Sequence, residues 1–415
     1  MRCRRWGEGE GGSRKQKQEQ SYGGAGAGAG AFTDDLVLEI IARLPPKYAL
    51  QCSSLNKSFF RAISCPYFAR RNAVLSSSRS SNSSILIRCS YRSPKIYTRL
   101  SLENPSGRPP VASTTLIDQV SVLDSCYGVL LLRVNSSQLH HVFNPVTGGI
   151  MPVEHLKVHS DPGVSLVVDF LPDSSFDLKL ATFNYSYPTW ESPQRTHLTF
   201  EILVPHQDFT EIKSQVGLSC EGLTLMRDAH IKPVYAYGSV HWLADDATKI
   251  IALNVEKEQA RIIDGPVKRN YGRGFGPHGH KWFGLAEGSL SYVYTLREQI
   301  LVLAHDSSTD EWRVRYRIDD IIQNDGIGMP LFFDGRRAFV RVGERGDEVY
   351  EVDMGNKWTK RGVVEQWSDT FQHFFSFFPT LAKVSDDYLH NRPTHVKDYH
   401  LIEYTLLQLQ RLLRM

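Results

Sequence analysis

The sequence predicts two unlike domains in series: a small all-α module near the N-terminus and a large all-β domain behind it. Apolar residues recur at helical spacing from Thr33 to about Asn72. From Ile85 onward the pattern changes to short β-branched and aromatic runs broken by Gly, Pro, Asn and Asp. Within that second region a spacing from glycine to turn residue repeats. At 415 residues the chain is too long for one ordinary domain, so a small module plus a large one fits.

Charge and composition narrow the function classes. An apolar fraction of 41% with 22% charged residues describes a globular chain rather than a disordered one. Residues 1–30 are a basic, Gly/Ala-rich tail that holds six of the 48 basic residues and three of the 45 acidic ones. The rest of the chain is therefore balanced and offers no electrostatic footprint for nucleic acid. The tail is expected to be flexible, because Gly-rich sequence loses too much backbone entropy on ordering. No run of 18 apolar residues is present, so no membrane span is expected. Arg2, Arg4 and Arg5 have no apolar core after them, unlike a secretory signal. Six scattered cysteines without a C-x-x-C pair suit a reducing compartment, cytoplasm or nucleus.

Residues 31–72 read as three short helices. Thr33 suits an N-cap, and Asp34 and Asp35 place negative charge in the first turn. Leu36, Val37, Ile40, Ile41 and Leu44 form one apolar stripe, which Pro45-Pro46 stops. Further helices are expected over Tyr48–Leu55 and Lys57–Ile63, the latter broken by Pro66. So few residues cannot bury this much apolar surface among themselves. Either a partner or the β domain covers it. Residues 73–84, almost all serine from Ser76, read as a linker.

The same residues resemble an F-box. The resemblance rests on the run from Phe32 to the Leu44-Pro45 hinge, on Ala49 to Phe59, and on Ile63 to Phe68. Family members open Leu-Pro-x-Asp-Leu and carry Val-Ser-Lys-x-Trp; here Phe32-Thr33 and Leu55-Asn56-Lys57-Ser58-Phe59 stand in those places. The resemblance implies that Leu36, Ile40, Leu44, Pro45, Leu50, Leu55 and Phe59 face a Skp-family adaptor, which joins the box to a cullin.

The β domain, residues 85–384, is repetitive. Gly238, Gly288 and Gly335 are each followed four residues later by an aromatic, Trp242, Tyr292 and Phe339. Each unit then reaches a turn residue, Asn254, Asp306 or Asp353, at 16, 18 and 18 residues from its glycine. Gly128 and Asn144 repeat the spacing of 16, and the gap between Gly128 and Gly238 leaves room for one more unit. A period near 50 made only of strands predicts a β-propeller, expected to have six or seven blades. Trp242, Trp312 and Trp358 are then expected as core. Residues 142–148, 239–243 and 375–384 also resemble the F-box-associated domains of plant F-box proteins, although the diglycine of kelch repeats is missing. Residues 385–415 form a tail with a helix expected at 399–413.

Nothing in the sequence points to chemistry. The Gly272–His280 run lacks the strand–loop–helix context of a phosphate loop, and its histidines have no partner at metal-ligand spacing. No catalytic residue, metal or cofactor is expected. The expected function is a non-catalytic substrate receptor of a Skp–cullin–F-box ubiquitin ligase, with an unidentified protein substrate. Tyr271, Arg273 and Phe275 are the candidate substrate contacts, because aromatic and Arg side chains anchor interfaces best. A propeller hydrolase and an F-box-like protein that does not engage the adaptor are the alternatives.

Overall fold

The structure, a computed structural model, describes residues 34–44, 46–77, 85–90, 95–97, 113–115, 120–134, 137–153, 163–170, 176–186, 195–205, 210–221, 231–267, 280–296, 299–319, 328–342, 348–356, 358–363 and 372–377, together with 156, 223, 380–382 and 384. The N-terminal tail, most of the serine-rich stretch, the Tyr271–Phe275 loop and the helix expected at 399–413 lie outside the described residues.

The helical module has four helices rather than three: α1 (Asp34–Ala42), α2 (Pro46–Cys52), α3 (Lys57–Ile63) and α4 (Pro66–Ser77). Pro66, expected to break the chain, opens α4 instead. A proline at the first helical position loses nothing, since that amide has no partner there anyway. Pro46 starts α2 in the same way. Helix α4 runs on to Ser77, into the stretch read as linker. It is integral to the module. Asn72, fully buried, donates to the carbonyls of Ala42 (3.0 Å) and Leu44 (2.8 Å), satisfying acceptors that the end of α1 leaves open. Glu39 of α1 pairs with Arg71 of α4 as well as with Arg43.

The β domain starts with β1 (Ile85–Ser90), β2 (Lys95–Tyr97) and β3 (Ser113–Thr115). Five blades follow, each an antiparallel meander of four successive strands. They are β4 to β7 (Val120–Cys126, Val129–Val134, His140–Asn144, Gly149–Val153) and β8 to β11 (Val164–Phe170, Phe176–Ser186, Arg195–Pro205, Thr210–Glu221). Next come β12 to β15 (Val234–Ala236, Ser239–Ala244, Lys249–Asn254, Gln259–Asp264) and β16 to β19 (His280–Ala286, Ser289–Leu296, Gln299–Asp306, Glu311–Ile318). The last is β20 to β23 (Met329–Phe333, Arg337–Val342, Glu348–Asp353, Trp358–Val363). Finally β24 (Gln372–Phe377) pairs with β1, from Ile85 opposite Phe377 to Ser90 opposite Gln372.

The expectation of six or seven blades is thus corrected to five uninterrupted blades. The remaining sheet, in the order β24-β1-β2-β3, is a composite of both ends of the domain. The first strands β4, β8, β12, β16 and β20 stand next to one another in sequence, and β24 stands between β20 and β4. That closes the ring.

The sequence repeat has a physical cause in the turns. Tyr127-Gly128, Tyr237-Gly238 and Glu287-Gly288 are two-residue hairpins with both residues at positive φ (42° and 74°, 53° and 71°, 49° and 75°). These mirror-image turns match the twist of the flanking strands, and glycine takes the second position at no steric cost. The acidic or amide residue of each unit caps the later hairpin with its side-chain oxygen. Asn144 accepts from Val146 N (2.9 Å), Asn254 from Lys257 N (2.7 Å), Asp306 from Ser308 N (3.0 Å) and Asp353 from Gly355 N (3.0 Å).

The aromatics after the glycines are core, packed between blades. Trp242 is 3% exposed, and its ring lies 5.3 Å from Phe200 and 5.9 Å from Phe183 of the preceding blade. Trp312 is not core, a correction to the sequence reading. Its ring is half-buried on outer strand β19, and its indole N–H donates to the Asp264 carbonyl (3.1 Å) of the neighbouring blade. Trp358 opens β23, and its side chain lies outside the described set.

The topology separates two ends of the ring. At one end lie the short hairpins before β5, β13, β17 and β21 and the turns at Asn144, Asn254, Asp306 and Asp353. At the other end leave the longer connections, among them 187–194, 268–279 and 320–327.

Candidate functional site

The helical module presents an apolar face to solvent. Leu36 and Ile40 sit four apart on α1 and share one side of it, both exposed. Leu50 of α2 and Leu55 after it are exposed too, Leu55 by 66%. Leu44 is half-buried, and Pro45 lies outside the described residues. Phe59 departs from the expectation: it is only 7% exposed and belongs to the module's core.

The phase of α3 explains this. Asn56 caps the helix by accepting from Phe59 N (2.7 Å), which fixes where the first turn starts. Phe59 and Ile63, four apart, then both point inward, and Phe60 points outward, 58% exposed. Tyr48 joins the outer face at 50% exposure. Tyr48 and Phe60 were missed in the sequence; the signal was available for Phe60, since Phe59 and Ile63 alone fit one buried stripe. So many exposed large apolar side chains on one small module point to a contact face rather than scatter.

The opposite side of the module packs on the propeller. Its core of Ile41, Ala42, Ala49, Phe59, Ile63 and Phe68 is completed by Leu381, with Val146 packed against it. Two stretches singled out in the sequence meet here, the Asn144 turn and the segment after β24. Asn144 is fully buried, and its amide donates to the carbonyls of Thr380 (3.2 Å) and Ala382 (2.6 Å). Thr380 in turn donates from its hydroxyl to the Tyr127 carbonyl (2.7 Å). The module therefore sits at the hairpin end of the ring. Tyr271, Arg273 and Phe275 belong to the connection from β15 to β16, which leaves from the other end; their own placement lies outside the described residues.

The titratable groups of the inner strands are turned on one another. Asp124 on β4 accepts from Leu166 N (2.6 Å) and from the Ser165 hydroxyl (3.2 Å) of β8. Burial nevertheless raises its pKa to about 6. Asp169 accepts from the Tyr235 hydroxyl, and burial raises both pKa values. Burial likewise pushes the Cys126 thiol up, which makes it a poor nucleophile. Among the described residues no group of three or more His, Cys, Asp or Glu is arranged to hold a metal ion. Among them, too, no helix is long and apolar enough to cross a membrane.

His241 on β13 is the clearest pH-linked group. Burial lowers its pKa to about 4, even though its Nδ1 lies 3.3 Å from the Val234 carbonyl. As pH falls below about 6.5 the unfolded chain binds this proton and the folded chain does not, so stability is lost down to about pH 4. Asp124 acts with the opposite sign, since the folded chain takes up its proton near pH 6, before the unfolded chain does. The two largely cancel between pH 7 and 5. In His241→Gln the effects of the raised carboxylates, Asp124 and Asp169, are no longer offset by this histidine. The variant's urea midpoint is expected to rise on going from pH 7 to 5, relative to the unchanged chain, by the equivalent of about 2 kcal/mol. A parallel pH dependence of the two proteins would show that His241 titrates normally.

Comparison with known proteins agrees with the geometry. Residues 32–71 match the F-box domain family. The chain is 24% identical over 363 residues to a putative F-box/kelch-repeat protein of Arabidopsis thaliana, covering 84% of this chain and 77% of the relative. It is 24% identical over 261 residues to an F-box protein of the same plant, covering 59% of this chain and 67% of that one. Among solved structures, a chain of a nidogen/laminin complex is similar with a TM-score of 0.38 at 9% identity, over 72% of this chain and 99% of that one. A periplasmic gluconolactonase from Pseudomonas aeruginosa is similar with a TM-score of 0.32 at 12% identity, over 71% and 99%. Likenesses this remote do not bear on function. The chain carries an F-box followed by a β-propeller, and its relatives are plant F-box and F-box/kelch-repeat proteins. It is similar to plant F-box proteins in carrying a large C-terminal domain behind the box.

Proposed function

We propose that this chain is the substrate receptor of a Skp–cullin–F-box ubiquitin ligase, acting in cytoplasm or nucleus. The F-box docks a Skp-family adaptor, and through it a cullin. The propeller holds a protein substrate, and bond-making belongs to the other subunits, with this chain supplying proximity. One observation carries the reading: the box buries one side on the propeller and leaves Leu36, Ile40, Tyr48, Leu50, Leu55 and Phe60 open on the other. A face of this kind has the chemistry of the apolar centre of a protein interface.

The geometry also favours a division of labour. The box occupies the hairpin end of the ring, so the end with the long connections is free for a substrate. Loops on a rigid scaffold vary without cost to the core, which suits recognition of a particular partner. Tyr271, Arg273 and Phe275 are on such a connection and remain the proposed contacts.

The adaptor half is tested by capturing a purified Skp-family adaptor on the full chain. Leu36→Asp with Ile40→Asp buries two unpaired charges in the interface and is expected to weaken capture by at least a hundredfold. The far-UV spectrum should stay unchanged, since both side chains are exposed. Equal capture by the double variant would refute the assignment of this face. No capture by the unchanged chain would favour an F-box-like protein that has left the adaptor.

A further inference from the structure

We infer that the F-box of this chain is not an independent module: its fold is completed by the strap that closes the propeller, so only a closed ring presents a stable box. The inference deepens the proposed receptor function and rests on it for its biological meaning, but its structural content stands apart.

The strap is made of residues 380–382 and 384, the described residues that follow β24. Leu381, 5% exposed, enters the core of the box with Phe59, Ile63 and Phe68. Ala382 and Val384, 1% and 7% exposed, enter the core between the first two blades with Leu123, Leu131 and Val142. The Thr380 hydroxyl donates to the Tyr127 carbonyl of the first blade. One short stretch is therefore shared between two cores.

Asn144 locks it in place. Both amide hydrogens are used on strap carbonyls, and its oxygen is used on Val146 N, so the carboxamide is fully committed. Val146, in the same turn, also packs against the core of the box. On the far side, β24 is tied to β1, the first strand after the box. Ring closure by β24 thus delivers Leu381 to the box, and a ring that has not closed lacks the strap. A chain cut short or still incomplete would then carry a loosened box, and the adaptor would engage finished receptors preferentially.

Amide hydrogen exchange on the full chain without any adaptor separates this from the receptor reading. In Leu381→Ala the amides of α1 and α4 are expected to exchange at least tenfold faster than in the unchanged chain, while those of β16 to β19 keep their rates. Leu381→Asp should enlarge the same selective effect, and adaptor affinity should fall in step. Unchanged exchange in α1 and α4 for Leu381→Ala would overturn the inference. So would an equal acceleration of box and blade amides, since Leu381 would then serve the whole fold without linking the two parts. Neither result depends on whether an adaptor binds.

Discussion

Asn144→Leu is expected to destabilise the folded chain by about 3–5 kcal/mol, as much as removing a large core side chain. The substitution is close in size, so the loss is one of hydrogen bonds rather than volume. Without the carboxamide, the buried Thr380 carbonyl loses its amide donor, the Ala382 carbonyl keeps only the longer bond from the Thr147 hydroxyl (3.4 Å), and the half-buried amide of Val146 loses its acceptor. Each stranded polar group costs about 1–3 kcal/mol. Asn144→Asp should be no better, because a carboxylate would set negative charge against two carbonyl oxygens. Urea unfolding followed by tryptophan fluorescence measures the effect, and a shift under about 1 kcal/mol would mean that the strap finds other donors.

Trp242→Ala is expected to cost about 3–5 kcal/mol, from lost transfer energy and the cavity left behind. The indole fills the joint between the second and third blades against Phe183 and Phe200, so the cavity would open where two sheets meet. Trp312→Ala supplies the contrast. That ring is half-buried and gives one indole hydrogen bond to Asp264 across the blade boundary, so about 1–2 kcal/mol is expected. Equal losses for the two variants would show that their burial has been misread.

Much of this was legible in the sequence. The glycine and Asx spacing reported the hairpins directly, because left-handed backbone and side-chain-capped turns demand particular residues. Trp242, Tyr292 and Phe339 were recognisable as core from their place in that spacing. The helix phases were less legible. Phe59 and Phe60 are adjacent and equally apolar, and only the cap from Asn56 decides which one turns inward. Pro66 was misread because the same ring that breaks a helix interior starts a helix without penalty.

What lay beyond local reading was long-range. The pairing of β24 with β1 joins segments from opposite ends of the domain, and no periodicity announces such a partner. The composite sheet, the blade count and the strap all follow from that pairing. The substrate contacts were chosen by residue chemistry alone, and the structure adds only the end of the ring from which their loop leaves.

The account's central claim is that the open face of the box is the adaptor's seat. Hydrogen exchange on the full chain, with and without a saturating purified Skp-family adaptor, tests it most directly. The predicted result is slowed exchange within α1 to α3, around Leu36, Ile40, Tyr48, Leu50 and Phe60, with β8 to β19 unchanged. Slowed exchange confined to the propeller, or none anywhere, would contradict it.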